Sequence, residues 1–169
     1  MDTEADTCRK EVVPKLVEAG WDNAPHAINE QRTFTDGRIV FVGGKARRGR
    51  QKRADFILRY RTDFPIAVVE AKSKYKHAAD GLQQAREYAE ILGLKFAYST
   101  NGREIIEIDY TTGIEREVSS YPSPEELWAR LSETEEITPE IKAHLLSPTY
   151  PDKSKPLRYY QEIAVNRAV

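Results

Sequence analysis

The sequence has a single cysteine, Cys8, and lacks long hydrophobic runs. One cysteine cannot form an intramolecular disulfide, and no apolar segment approaches the roughly 20 residues that a helix needs to span a bilayer. The acidic start, MDTEAD, also lacks the basic and then apolar order of a secretion signal. We therefore expect a cytoplasmic protein that has no membrane partner and is not held together by disulfides.

The chain also has no large excess of either charge. Its 26 Lys and Arg residues nearly balance 27 Asp and Glu residues, so the net charge of -1 does not indicate a nucleic-acid partner. The basic residues are nevertheless clustered, because the stretch GGKARRGRQKR, residues 43–53, contains no acid. Such a run is usually a solvated loop, but beside a site that acts on nucleic acid it would bind the phosphate backbone. The candidate contacts are Lys45, Arg47, Arg48 and Arg50.

The length and composition fit one folded domain followed by a tail. With 169 residues, of which 40% are hydrophobic, the chain can bury one sizeable core. We place the domain at residues 1–147, because Pro148, Pro151 and Pro156 mark a linker. The final stretch, LRYYQEIAVNRAV, is typical of the start of a helix, so we expect the sequence to be a fragment of a longer protein.

Periodicity predicts alternating helices and strands. Helices are expected at residues 9–20 and 80–93, and a closing helix is expected to begin in SYPSPEELWARL. Strands are expected at residues 38–42, 53–60 and 65–72, and the third has an apolar run typical of burial on both faces. A meander should follow from residue 95, with turns at Asn101-Gly102 and near Thr112-Gly113.

The third strand ends in an acid and a lysine, Glu70 and Lys72. A tight turn at Thr62-Asp63 would place Asp55 opposite Glu70, with Cβ atoms about 4.5–5.5 Å apart. Like charges in that position destabilise a sheet unless a cation lies between them, and a divalent metal ion is a common solution. The period of two places Lys72 on the same face as Glu70.

Two carboxylates and an ammonium on one face match the chemistry of metal-assisted phosphodiester cleavage. The alternative is a salt-bridged strand end, which the spacing alone does not exclude. Glu140 and Lys142 have the same spacing, but their segment is expected to be helical, so their side chains should point to nearly opposite sides.

Gln84 and Tyr88 provide a second candidate feature. They are four residues apart on the predicted helix, and we expect them to share a face that is distinct from the apolar stripe formed by Leu82, Ala85 and Ala89. Gln can bind a phosphate or a base edge, and Tyr can stack or bind a phosphate. The alternative is an ordinary solvated helix face.

Several segments resemble the PD-(D/E)xK nuclease superfamily, and specifically the amino-terminal part of the R (HsdR) subunit of type I restriction enzymes. The segments, in chain order, are AGW, RRGRQKRADFILRY, AVVEAK, QAREYAE, FAYSTNG and YPSPEELW. The resemblance implies an α/β, restriction-endonuclease-like core with a mixed central sheet flanked by helices. It also implies a nuclease domain over residues 1–147.

The resemblance assigns roles to individual residues. Asp55 and Glu70 would be metal ligands, the Ala71 carbonyl a further ligand, and Lys72 the catalytic lysine. Gln84 and Tyr88 look like the family's Q-x-x-x-Y motif near the DNA. The family's first-helix pattern, E-x-x-T-R, falls on Glu4 and Thr7, so Glu4 is an additional candidate ligand. The sequence departs from the family in having Ala54 for the motif's proline and Cys8 for the usual arginine.

The implied activity is that of a type I site-specific deoxyribonuclease. It would cleave double-stranded DNA with Mg²⁺, for which Mn²⁺ could substitute, after ATP-driven translocation, alongside specificity and methyltransferase subunits. The tail, residues 148–169, resembles the Q-motif that opens a superfamily 2 helicase motor, where Gln161 would recognise adenine. Because no phosphate-binding G-x-x-x-x-G-K-[ST] motif is present, we do not expect this chain to hydrolyse ATP. The alternative is a non-catalytic DNA-binding or docking module with a nuclease fold.

Overall fold

The structure is a computed structural model that describes residues 3–34 and 39–147. For residues 39–42, 47 and 48 it describes the backbone alone. The predicted domain boundary at residue 148, the linker and Gln161 lie outside the described residues.

Helices and strands alternate along the described chain. The helical segments are α1 Glu4–Thr7, a π-helical turn at Cys8–Val12, α2 Val13–Glu18, a 3-10 turn at Ala78–Gly81, α3 Leu82–Leu92, α4 Pro124–Thr134 and α5 Pro139–Leu145. The strands are β1 Ala27–Phe34, β2 Ile39–Val42, β3 Lys45–Arg48, β4 Lys52–Arg61, β5 Phe64–Ala71, β6 Phe96–Thr100, β7 Ile105–Asp109 and β8 Ile114–Val118. No helix in this part of the chain has both the length and the apolar character needed to cross a bilayer.

Six strands form the central sheet, in the order β1-β4-β5-β6-β7-β8. The β5–β6 pair is parallel and the other neighbouring pairs are antiparallel. The parallel pair needs a crossover connection, and α3 lies within it. The predicted α/β class with a mixed, helix-flanked sheet is therefore confirmed.

The sheet has an apolar core on each face. One core packs the first helices and α4 against the sheet through Leu16, Trp21 and Leu127. The other packs α3 against the opposite face through Ala85 and Ala89. In β5, Ala67 and Val69 lie in the first core and Val68 lies in the second, so this strand is buried on both faces, as its apolar run predicts.

Three helix predictions agree closely with the structure. The first helical region ends at Glu18, and Gly20 follows with φ of +94°, although the helix already begins at Glu4. α3 begins at Leu82 after the 3-10 turn and ends before Gly93. α4 begins after Ser123, whose side chain caps the helix by accepting a hydrogen bond from the Glu126 N–H.

The structure corrects the prediction of a basic loop at residues 43–53. Residues 45–48 form strand β3, which pairs antiparallel with β2, and β4 begins at Lys52. Gly43 and Gly44 have φ values of +59° and +74°, as a two-residue hairpin turn requires. Much of the basic stretch is therefore a β-hairpin, which we call the basic hairpin (residues 39–48).

The turn predicted at Asn101-Gly102 is longer than expected. Thr100 pairs with Ile105, so the loop contains four residues, 101–104. The Asn101 side chain accepts hydrogen bonds from the Arg103 and Glu104 N–H groups and thereby stabilises the longer loop. The second turn lies between Asp109 and Ile114, as predicted.

Candidate functional site

Strands β4 and β5 bring the predicted carboxylates to one end of the sheet. Their register pairs Phe56 with Val69, Ile57 with Val68 and Leu58 with Ala67. One further step in this register places Asp55 beside Glu70, in the arrangement that the sequence predicts. Irregular pairing between Leu58 and Arg61 is confined to the part of the hairpin near the turn.

Glu70 and Lys72 form a buried ion pair beside α3. The Lys72 ammonium donates to Glu70 Oε1 at 2.9 Å, and the two residues are only 7% and 4% exposed, respectively. The same ammonium also donates to the amide oxygen of Gln84. The Lys72 backbone N–H donates to the Thr100 carbonyl at 2.7 Å, which joins the end of β5 to β6. The ammonium is therefore held in one position by two acceptors.

Asp55 is oriented by hydrogen bonds from both neighbouring strands. Its Oδ2 accepts from the Ala71 N–H at 2.9 Å, and its Oδ1 accepts from the Gln31 side chain at 3.3 Å. Gln31 lies in β1 and has φ of +53°. The sequence reasoning missed Gln31 because β1 is a polar edge strand without a clear alternating pattern.

Burial and mutual repulsion perturb both carboxyl groups. Burial raises the pKa of Glu70 to about 7, the charge of Asp55 adds to this increase, and Lys72 opposes it. Burial also raises the pKa of Asp55, although the hydrogen bond from Ala71 acts in the opposite direction. Glu4 is exposed on α1, and its charge contributes to the upward shifts of both pKa values.

The donor set fits a divalent cation. Glu70 Oε2 is buried and has no hydrogen-bond partner among the described residues. Such an oxygen beside a second carboxylate is destabilising unless a cation binds there. No group of three His, Cys, Asp or Glu side chains converges within the described ranges. Two carboxylates match magnesium, which commonly binds one or two protein carboxylates and completes its shell with water and phosphate oxygens.

Gly81 lets the 3-10 turn approach the site closely. A Cβ atom at this position would lie 2.3 Å from Ser99 Oγ and 3.3 Å from both Glu70 Cγ and Lys72 Cε. The Ser99 hydroxyl donates to the Ala78 carbonyl at 2.5 Å and joins the same turn to β6. The sequence reasoning did not identify Gly81; an Asp-Gly pair immediately before a helix was the available signal.

Gln84 and Tyr88 have different environments. Gln84 is half-buried and contacts Lys72, so it lies at the predicted site. Tyr88 is only 6% exposed and packs edge-on against Phe34 at 5.2 Å in the same core as Ala85 and Ala89. The prediction that Tyr88 lies apart from the apolar stripe is therefore wrong, because β1 adds Phe34 to that face. Burial raises the pKa of Tyr88, and the charge of Glu70 adds to the shift.

The roles predicted for the remaining residues stay predictions. Lys45 and Arg50 are exposed, whereas the side chains of Arg47 and Arg48 lie outside the described part. Ala71 is buried at the end of β5. Glu140 and Lys142 lie on α5, the helix expected for this segment, and are not part of the site.

The chain is similar over nearly its whole length to proteins of known name. No family model matches the chain. It is 34% identical over 174 residues to the endonuclease subunit of the type I restriction enzyme EcoAI of Escherichia coli, covering 99% of this chain and 21% of that protein. A solved fragment assigned to an HsdR subunit of a type I restriction enzyme from Vibrio vulnificus YJ016 is 59% identical, with a TM-score of 0.86.

That alignment covers 99% of this chain and 32% of the solved chain. The present chain thus spans between about a fifth and a third of the length of these two relatives. The chain is therefore homologous, over nearly its whole length, to a segment of the endonuclease (HsdR) subunit of type I restriction enzymes.

Proposed function

We propose that this chain is a metal-dependent endonuclease domain that cleaves double-stranded DNA within a type I restriction enzyme, and that it belongs to the PD-(D/E)xK superfamily. The observation that carries the proposal is the buried Glu70 Oε2, which has no hydrogen-bond partner in residues 3–34 and 39–147 and lies beside Asp55 and Lys72. The names of the two homologues support the same class of activity.

Asp55 and Glu70 are the proposed ligands of Mg²⁺, for which Mn²⁺ could substitute. The Ala71 carbonyl and Glu4 are additional candidate ligands. When bound, the ion would supply Lewis-acid polarisation of the scissile phosphate. Asp55 is suited to this role because hydrogen bonds from Ala71 and Gln31 restrict its carboxylate to one orientation.

Lys72 is the proposed catalytic lysine. Glu70 and Gln84 hold its ammonium, so the positive charge is already in place and needs no reorganisation during the reaction. From this position it can orient the attacking water and stabilise the negative charge that develops on the phosphate. Burial acts to lower the pKa of Lys72, but this pKa is raised because the hydrogen bond and charge of Glu70, together with the charges of Glu4 and Asp55, act in the opposite direction.

DNA binding is assigned to the basic residues of the segment 45–50. Lys45, Arg47, Arg48 and Arg50, in and after the basic hairpin, would contact phosphates. Gln84 accepts a hydrogen bond from Lys72 at the site and could contact the substrate there. For Tyr88, a contact with DNA is proposed only through the hydroxyl group, because the residue is buried.

The remaining functions belong to the proposed whole protein. ATP-driven translocation would require a motor beyond this segment, with Gln161 contacting adenine. Specificity and methyltransferase subunits would complete a cytoplasmic complex that selects the DNA site. These assignments rest on the resemblance and on the names of the homologues.

Plasmid cleavage tests the proposal. The chain, and the restriction complex that contains it, are incubated with supercoiled plasmid in Mg²⁺ or in EDTA. Lys72→Ala should abolish Mg²⁺-dependent cutting in the complex while leaving DNA binding largely intact. Lys142→Ala is the matched control, because Lys142 follows a glutamate at the same spacing but lies on α5.

Wild-type cutting by Lys72→Ala would contradict the proposed mechanism. DNA binding without metal-dependent cutting by any form would instead favour the non-catalytic docking module.

A further inference from the structure

A short basic turn follows Lys72 directly and has no role in the proposed function. Its sequence is SKYKH, residues 73–77, which we call the 73–77 turn. No acidic residue lies between Glu70 and Asp80. Since Tyr75 is three residues from Lys72, their Cα atoms can be at most about 11 Å apart. The turn therefore lies next to the candidate site.

Two buried side chains from distant parts of the sequence fix the backbone of this turn. The Lys74 N–H donates to Thr7 Oγ1 at 3.2 Å, and the Lys76 carbonyl accepts from Asn101 Nδ2 at 2.9 Å. Thr7 and Asn101 are only 2% and 5% exposed. Within the turn, the Lys76 N–H donates to the Ser73 carbonyl at 2.9 Å. The turn is thus held from the first helix on one side and from the β6–β7 loop on the other.

The β6–β7 loop is itself well ordered by hydrogen bonds. Asn101 Oδ1 accepts from the Arg103 N–H at 3.0 Å and from the Glu104 N–H at 2.8 Å. The Glu104 carboxylate accepts from the Ala78 N–H at 3.2 Å, immediately after the 73–77 turn. Asn101 Oδ1 therefore orders the loop, and Asn101 Nδ2 connects the loop to the turn.

Three side chains of the turn are exposed although its backbone is fixed, and Ser73 and Lys74 are partly buried. Tyr75 is 63% exposed, and the Lys74 ammonium lies 5.3 Å from the centre of its ring. Lys76 and His77 are exposed as well. An aromatic ring with this exposure contributes little to the core. A preordered surface of this kind loses little conformational entropy when it binds a partner.

We propose that the 73–77 turn binds the DNA backbone beside the scissile phosphate. The Tyr75 ring packs against a deoxyribose, and Lys74 and Lys76 contact the phosphates on either side. The positive charge and the short distance from Lys72 favour DNA over an acidic protein as the partner. This inference rests on the proposed nuclease function, since it takes DNA to be the substrate of the adjacent site.

Duplex binding by the purified chain tests the inference. Fluorescence anisotropy is measured with a short labelled DNA duplex in EDTA, so that no cutting occurs. Tyr75→Ala should weaken binding roughly fivefold, on the scale of one lost aromatic contact. Tyr75→Phe retains the ring and should bind within about twofold of the wild type. Lys74→Gln combined with Lys76→Gln should lower the slope of log K against log salt by about 2.

The matched control lies elsewhere on the surface. Tyr110 is exposed, and it follows Asp109, which pairs with Phe96 at the end of β6 opposite Thr100. Its N–H donates to the Lys95 carbonyl. Tyr110→Ala combined with Lys95→Gln should therefore leave duplex affinity and its salt slope unchanged. The changed side chains of the 73–77 turn are on the surface, so thermal unfolding should confirm that these variants remain folded.

Wild-type affinity and salt slope in the Tyr75 and lysine variants would overturn the inference, as would a wild-type chain that does not bind duplex DNA. Preferential binding of single strands that depends on Tyr75 would also overturn it, because base stacking would then replace the backbone contact.

The two proposals can fail separately. If Lys72→Ala still cuts DNA while Tyr75→Ala binds DNA weakly, only the proposed nuclease mechanism is wrong. If Lys72→Ala no longer cuts DNA while Tyr75→Ala binds DNA normally, only the proposed role of the 73–77 turn is wrong.

Discussion

Two glutamates are buried in the same sheet, and their surroundings differ. Glu107 on β7 has both oxygens occupied by hydrogen bonds. Its Oε1 accepts from Arg116 and Arg130 at 3.1 Å, and its Oε2 accepts from the Tyr98 hydroxyl at 2.8 Å and again from Arg130 at 3.1 Å. This residue has no exposed surface. Its negative charge is thus balanced within the protein.

Glu70 on β5 is almost as buried but only half satisfied. Lys72 occupies Oε1, whereas Oε2 has no partner among the described residues. The nearby charge of Asp55 makes ionisation less favourable and helps to raise the pKa of Glu70. A buried carboxylate that is fully paired stabilises the fold, whereas one with a free oxygen beside a second acid indicates a binding site for a cation.

The largest expected difference between the two glutamates is in catalysis. Glu70→Gln should reduce Mg²⁺-dependent cutting by the complex on the order of 1000-fold, because it removes the charge of a proposed metal ligand. Glu107→Gln should cut at the wild-type rate per folded molecule. Plasmid cleavage, measured well below the unfolding temperature of each variant, checks this contrast. Equal losses in both variants would show that the site is not confined to Glu70.

For stability, the substitution at Glu107 should have the larger effect. Glu107→Gln leaves two arginines without their shared buried carboxylate and should lower the free energy of unfolding by about 3 kcal/mol. Glu70→Gln keeps an acceptor for Lys72 and removes repulsion with Asp55, so it should lose about 1 kcal/mol or less. Urea unfolding in EDTA measures both changes. A larger loss for Glu70→Gln would contradict the distinction between a structural and a functional acid.

The close approach at Gly81 tests how tightly the site is packed. Gly81→Ala should cost about 1–3 kcal/mol and slow cutting, because its Cβ would clash with Ser99 and displace Glu70 or Lys72. Gly113 is the matched control, since φ is +73° and no atom lies within 4 Å of a Cβ placed there. Gly113→Ala should therefore cost about 1 kcal/mol of backbone strain and leave cutting unchanged.

Stabilisation by metal should be smaller than the stability loss expected for Glu107→Gln. At tenfold above its dissociation constant, Mg²⁺ should raise the free energy of unfolding by about 1.4 kcal/mol. Asp55→Asn should lose this increase, whereas Glu107→Gln should retain it. Thermal unfolding with and without Mg²⁺ measures the difference. An undiminished shift in Asp55→Asn would place the ion elsewhere.

The sequence predicted the central part of the candidate site because that part depends on local rules. A short turn at residues 62–63 determines the register of β4 and β5, and period two determines the relative positions of Glu70 and Lys72. Asp55, Glu70 and Lys72 could therefore be grouped without knowledge of the rest of the fold. Their proposed roles remain predictions.

The surroundings of the site could not be predicted in the same way. Gln31 lies on an edge strand whose polar sequence does not alternate clearly, so its contact with Asp55 had no local signal. Tyr88 is buried because Phe34 of the same unpredicted strand packs against it. The basic hairpin was taken for a loop because its charge suggested solvation, although paired glycines separated two short strands.

By itself, the sequence determined the α/β class, most helix ends and the alignment of the β4–β5 hairpin, because periodicity and turn chemistry act over a few residues. Tertiary structure decided which polar atoms became neighbours. The parallel β5–β6 pairing and the packing of α1 and α3 bring Thr7, Gln84 and Asn101 to the end of β5 from positions far apart in the chain. These contacts depend on the complete sheet, and no local pattern specifies them.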